Sequence, residues 1–306
     1  MSGIPIRFRG YQQPASIHTR AAVRFGEIIK SRLGERVSFE LIGDVLALGR
    51  RSGDLLPMVE RGELDCCYIS TVRFTQWVPE FKLLELPFVV KDRAAIIKAL
   101  DGELGDFFKR RVREATPFQL LGFWDNGFRH FSNRVRPIRV PADCRGLRIR
   151  RQMSELHGEA FRALGFEPIP ADIKEFVAEI AGDKFDAHDN ALTNIYNFGV
   201  HKFHRYITLS GHFFGASALA FNASAYQSWP ADVRTAVDDA ARAATEYQHE
   251  LAAAEDNAML AKLAACENEV TTLTATEHAA FVTALAPVLD KYKRELGPAL
   301  FRLLDT

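Results

Sequence analysis

The sequence predicts an α/β protein made of two units, with one long helix lying across both. Three observations predict it. Strand and helix patterns alternate through the first third of the chain, the alternation restarts after Gly127, and residues 231–268 contain neither Gly nor Pro. Alternating strand and helix patterns are the mark of a mostly parallel sheet with helices packed on its faces.

Ile6, Arg7, Phe8 and Arg9 alternate apolar and polar, which reads as a strand. Ala22, Phe25, Ile28, Ile29 and Leu33 recur at helical spacing, and Gly34 stops that helix where a left-handed residue is wanted. Residues 37–41 alternate again, a short helix follows near 54–61, and 66–69 is an apolar strand. A helix over 93–114 leads into a strand at 118–124. In the second unit, 147–150 is a short strand, a helix over 155–164 ends at Gly165, and Pro168 and Pro170 bracket an extended piece. A helix over 172–181 ends at Gly182, and 185–190 is a strand running into a polar loop. The junction at 126–128 is short and extended, which suits a hinge rather than a tether. In the Gly- and Pro-free segment, Val233, Ala236, Val237, Ala240, Ala244, Tyr247 and Leu251 keep a helical stripe. At 1.5 Å per residue such a helix runs about 50 Å, longer than one small domain. A last helix covers 277–296.

Composition narrows the function. The 306 residues suit two domains. The 39 basic side chains equal the 39 acidic ones, so the chain lacks the basic surface that nucleic acid or an acidic membrane requires. A mean hydropathy of −0.10, with no apolar run approaching about 18 residues, excludes a membrane-spanning helix. The 23 Phe, 7 Tyr and 3 Trp are ample core formers, which excludes disorder. Cys66, Cys67, Cys144 and Cys266 form no CxxC pair and read as buried free thiols. The N-terminal stretch has no apolar leader core, so a signal segment was removed or the protein is cytosolic.

Catalytic motifs fail. The stretch around Ser217 lacks the second glycine of a nucleophile elbow, and no phosphate loop, dinucleotide fingerprint or HExxH is present. His201 and His204 have metal-ligand spacing but no third ligand nearby, and read as a solvated helix end. Ser154 and His157 read as a helix cap, with no acid to orient the histidine. The positive signal is arginine. Arg150 sits at the carboxyl end of a strand, where open α/β sheets bind ligands, and Arg129 opens the second unit. Guanidinium forks grip carboxylates in bidentate fashion, although each arginine alone could equally form a surface ion pair. Asp186, Ala187, His188, Asp189 and Asn190 make a polar cluster where the next strand ends; Asn190 could bind a carboxylate or hydroxyl, and Asp189 could bind a ligand or fix the loop.

Asn133 to Ile138, then Pro141, Ala142 and Asp143, then Gly146 to Arg150, resemble a motif of the solute-binding subunits of TRAP transporters, the DctP-type family. Gly62-Glu63-Leu64-Asp65, Pro79-Glu80, Leu86-Pro87-Phe88, Leu164-Gly165, Glu175, Thr208 and His212 are similar too, so the resemblance runs nearly the whole chain.

The resemblance implies a two-lobed periplasmic-binding-protein fold, each lobe a mixed sheet flanked by helices, with a long helix spanning both. Lobe I would hold residues 1–127 and 216–255, and lobe II 128–215 and 256–306. It implies capture of a small organic acid by hinge closure and delivery to TRAP membrane subunits, by a periplasmic monomer without metal or cofactor. Arg150 takes the carboxylate-gripping position, Arg129 a second arginine position, and Asn190 and Asp189 the polar loop. Tyr11, Gln12, Ser70 and Arg73 would close from the other lobe, with His212 and Phe213 in the wall. Arg151 stands where the family commonly has valine, and Ser70 lacks the charge that some relatives carry. The rival expectations are a hydrolase or lyase built on His188 with Asp189, or on His212, and a cytosolic ligand sensor.

Overall fold

The computed structural model describes residues 3–304; Met1 and Ser2, part of the stretch read for a leader, and Asp305 and Thr306 lie outside the described residues. The first half of the chain runs β1 (Ile4–Arg9), α1 (Ile17–Leu33), β2 (Val37–Ile42), α2 (Leu55–Glu60), β3 (Cys66–Ser70), α3 (Arg93–Asp101), α4 (Glu103–Ala115) and β4 (Phe118–Asn133). Then come β5 (Arg148–Arg151), α5 (Glu155–Ala163), β6 (Glu167–Pro170), α6 (Ile173–Glu179), β7 (Ala187–Ala191) and α7 (Leu192–Asn197). The chain finishes with β8 (Tyr206–Asn222), α8 (Ala223–Ser228), α9 (Ala231–Ala265), β9 (Glu269–Thr272), α10 (Ala275–Leu296) and α11 (Pro298–Arg302).

Local chemistry sets most boundaries. Ser16 caps α1 by accepting from the Thr19 N–H, and Gly34 at φ 55° ends it. Thr274 and Glu277 cap α10 reciprocally. The helix expected over 93–114 is instead two, because the backbone leaves helical geometry at Gly102, with φ −110° and ψ −139°. Three thiols are buried, but Cys266 is exposed, since it ends α9 at the surface.

The strands form one mixed sheet in the order β2-β1-β3-β8-β4-β7-β5-β6, with β9 beside β8. Parallel pairs lie toward its two ends, while the β3–β8, β8–β4 and β4–β7 pairs are antiparallel. The strand read at 118–124 does not stop there. It continues to Asn133, and β8 pairs with it from Phe118↔Asn222 to Asn133↔Tyr206. These two strands join both halves of the sheet, so the short extended junction near 126–128 is a bulge inside β4. Gly127 holds φ 90° there and faces Gly215, a conformation that side chains resist.

α9 has 35 residues, about 52 Å of helix. Val233, Val237, Ala240 and Ala244 pack into the main core, whereas Met259 and Leu263 enter a smaller core with Phe176, Phe185 and Ile195. Arg32 and Arg36 of the α1 end pair with its Asp239 and Asp232 at 2.5 and 2.6 Å.

Buried histidines, His18 and His204 among them, make stability depend on pH. Burial pushes His18 and His204 down from 6.5 to about 3. Between those values the unfolded chain binds protons that the folded chain refuses. Stability therefore falls as the pH drops through the window, by about 1.4 kcal/mol per pH unit for each fully titrating histidine. His18 lies 5.4 Å from the Tyr68 ring and 6.0 Å from Trp124, and neither ring nitrogen has a hydrogen-bond partner. Urea denaturation should show lower stability at pH 5 than at pH 7, and His18→Phe should reduce the difference. Equal pH sensitivity in His18→Phe and the parent would remove His18 from this account.

Candidate ligand site

β5 lies between β6 and β7, with Arg150 opposite Ile169 and His188. Coverage by both neighbours buries Arg150 to 4 % exposure. Its Nε donates to the Ala171 carbonyl at 2.9 Å. Among the described residues no carboxylate lies within ion-pair distance of it, and it lines a cavity. Burial and, after it, repulsion from Arg129 lower this guanidinium to about 10, so it stays cationic at neutral pH.

Arg129 is placed by β4 and is satisfied by protein. Its Nε donates to Asp189 Oδ2 at 2.6 Å, one terminal nitrogen to the Asp189 carbonyl at 2.7 Å, and the other to Asn190 Oδ1 at 3.2 Å. With its amide turned to accept, Gln152 takes a further bond from Arg129 at 2.8 Å. Burial alone would raise the Asp189 carboxyl; the Arg129 charge, with help from His212, holds it well below its ordinary range.

Tyr11, Ser70, Arg73, Arg129, Arg150 and Asn190 all line the cavity, so six of the expected residues come together. Four do not reach it. Asp189 is wholly buried behind Arg129, and His212 stands 3.5 Å behind that carboxylate, stacked on Phe131 at 4.0 Å. Phe213 stacks on His157 at 4.3 Å. Gln12 is spent on Asn194, donating to its Oδ1 at 3.1 Å. These four support the wall rather than touch the space. On β7 the period-two alternation presents Asn190 to the cavity and turns Asp189 away, while His212, Phe213 and Gln12 are held by side-chain partners that the local sequence does not reveal.

Ser52, Asn126, Gln152, Ile173, Asn194 and Phe198 also line the cavity and were not singled out from the sequence. Asn194 donates to Asn126 Oδ1 at 3.2 Å and to Asn190 Oδ1 at 3.0 Å, tying α7 to the β4 bulge. Ser52 belongs to a second network. Asp172, which caps α6, accepts from Ser52 Oγ at 2.7 Å, Arg73 at 2.8 Å and the Gly53 N–H at 3.2 Å. Burial opposes this carboxylate's charge, and the Ser52, Lys174 and Arg73 contacts overcome it to lower its pKa. The sequence begins a helix at Asp172 but does not show its pairing with Ser52 and Arg73.

Two further expectations change. Glu85 Oε2 lies 2.8 Å from His157 Nε2, both buried, so an acid does face that histidine. It comes from a loop 72 positions away, beyond any local motif. His201 stacks on Tyr196 at 4.5 Å, and His204 is buried with Nδ1 3.0 Å from Ser132 Oγ, because the turn folds onto the smaller core instead of into solvent. Among the described residues no group of three or more His, Cys, Asp or Glu is gathered to hold a metal ion.

The space between these residues is a cavity of about 40 Å³, walled by amides, hydroxyls and guanidinium groups and by Ile69, Ile173 and Phe198. A family model described as "Bacterial extracellular solute-binding protein, family 7" matches residues 8–295. The chain belongs to this family. The family 7 chain is 26 % identical to the 2,3-diketo-L-gulonate-binding periplasmic protein of Escherichia coli K12, over 98 % of its own length and 91 % of that protein's. It is 27 % identical to the C4-dicarboxylate-binding periplasmic protein of Rhodobacter capsulatus, over 96 % and 88 %. A TRAP periplasmic solute-binding protein of Sulfurospirillum deleyianum, solved with bound succinate, superposes at a TM-score of 0.93 with 26 % identity, covering 100 % of this chain and 99 % of that one. One from Ralstonia eutropha, solved with bound (S)-2-acetolactate, gives 0.91 with 25 % identity over 98 % and 97 %. The two-lobed α/β class with a long bridging helix is therefore the fold of this family 7 chain. Among the described residues no helix is long and apolar enough to cross a membrane.

Proposed function

We propose that this chain captures a small organic acid in the periplasm and delivers it to TRAP membrane subunits, binding one molecule per monomer without turnover. The observation that carries the reading is Arg150, a buried cation that lines the cavity without an acidic partner. A ligand carboxylate supplies the missing charge in bidentate geometry. The solved relatives, each holding an organic acid, support it.

Capture proceeds by closure of lobe I (1–127 and 216–255) on lobe II (128–215 and 256–306) about the β4 bulge. The acid pairs with Arg150 while the cleft is open. Closure brings Tyr11, Ser70 and Arg73 over it and excludes water, which strengthens the ion pair. Asp172, reaching Ser52 and Arg73, latches the closed form independently of ligand. The rival hydrolase or lyase needs His188, Asp189 or His212 at the substrate; all three are fully buried, and none borders the cavity.

Thermal denaturation with a panel of carboxylates tests the reading. An acid at about 100 times its Kd adds about 2.7 kcal/mol of stability. Asp172→Ala should weaken binding of that acid by about 10- to 100-fold, the range expected for lost charge-assisted hydrogen bonds in the closed form. A panel that leaves the melting temperature unmoved would count against carboxylate capture, and full affinity in Asp172→Ala would count against the latch.

A further inference from the structure

The cavity's charges can be counted, and the count selects among acids. Three arginines line it and no Asp or Glu does. Arg73 is neutralised by Asp172 at 2.8 Å and Arg129 by Asp189 at 2.6 Å. Arg150 alone is left, so the closed site carries one uncompensated positive charge. Its remaining polar surface is neutral. Ser70 Oγ makes no hydrogen bond to the described residues, and the amides of Asn126, Asn190 and Asn194 are tied to one another. Tyr11, Ser52 and Gln152 complete the neutral polar wall, and Ile69, Ile173 and Phe198 supply its apolar part.

Resting on the carboxylate-capture reading, we infer that the ligand is a short-chain monocarboxylate with a neutral oxygen function beside its carboxylate, a 2-hydroxy or 2-oxo acid. Arg150 takes the single carboxylate, Ser70 meets the hydroxyl or keto oxygen, and the apolar residues take the hydrocarbon end. A second carboxylate would be buried against side chains whose guanidinium groups already serve Asp172 and Asp189. An ammonium group would be buried with no acid to meet it. Either unpaired charge is costly in a water-excluded site. Size agrees with charge. A cavity of about 40 Å³ has room for the centres of roughly three water molecules, a tight space that favours a short acid over a sugar acid.

Three molecules of one shape isolate the charge: 2-hydroxyisovalerate, tartronate, in which a carboxylate replaces the isopropyl group, and valine, in which an ammonium replaces the hydroxyl. Calorimetric titration of the 306-residue chain with these, and with lactate, pyruvate, succinate and glucuronate, decides the matter. The expected result is that the tightest of the 2-hydroxy and 2-oxo monocarboxylates binds about 100-fold or more tightly than tartronate, succinate and valine. Tartronate or succinate binding as well as the monoanions would overturn the single-charge assignment and leave carboxylate capture standing. Equal binding of valine would do the same. Glucuronate binding tightest would overturn the short-chain assignment. Failure of every acid to bind would overturn the capture reading itself.

Discussion

Replacing Asp189 with alanine is expected to cost the fold about 3–5 kcal/mol, the usual penalty for stranding one half of a buried ion pair. Arg129 is only 1 % exposed, and Asp189 is wholly buried. The carboxylate receives the Arg129 Nε at 2.6 Å and has His212 Nε2 at 3.5 Å. Without it, Arg129 has no carboxylate within ion-pair distance among the described residues, and Arg150 loses an attraction that partly offsets its burial. Asp189→Asn should cost less, because an amide still accepts the Nε bond while the charge is lost. Urea denaturation of the parent and both variants measures this. A loss below about 1 kcal/mol in Asp189→Ala would mean that water or a rearranged side chain replaces the carboxylate, and the rigid-wall description would fall.

Arg150→Ala should weaken ligand binding by about 30-fold to several thousand-fold, the equivalent of about 2–5 kcal/mol at 1.4 kcal/mol per decade. The same change should not destabilise the ligand-free protein in proportion. Lowering the guanidinium from 12.5 to about 10 means that folding disfavours its charged form. Its folded pKa lies below its unfolded one, so the charge opposes folding by about 3 kcal/mol wherever the pH is under 10. Arg150→Met keeps the bulk and removes the charge, and should raise ligand-free stability while weakening binding over the same range. Opposite movement of these two quantities is the signature of a group strained for function. Calorimetry with the acid identified above, beside denaturation without it, reads both. Unchanged affinity would remove Arg150 from the site; a large drop in ligand-free stability would make it a structural residue.

Arg150 was legible because it breaks a local rule: a guanidinium at the end of a strand buried on both sides is out of place unless something meets it. Tyr11, Ser70, Arg73, Arg129 and Asn190 were reached through the family resemblance or through the polar cluster, and they do meet at the cavity. The support residues were harder. Asp189, His212, Phe213 and Gln12 carry the right chemistry near the right strand ends, yet each turns away. Alternation explains Asp189 beside Asn190 on β7, but His212, Phe213 and Gln12 are placed by side-chain partners that only the folded chain supplies. Ser52 and Asp172 were invisible as a pair, because 120 positions separate them and neither carries a motif.

By itself, the sequence determined the α/β class, the long Gly- and Pro-free helix, most helix ends and the chemistry of the arginine. These follow from periodicity, capping and composition within a few turns of chain. The tertiary structure alone decided that β4 and β8 run unbroken through both halves, that Arg129 and Arg73 are already neutralised, and that one positive charge is left over. Those facts depend on contacts between residues tens to hundreds of positions apart, and a local pattern carries no information about partners that only the folded chain brings within hydrogen-bond distance.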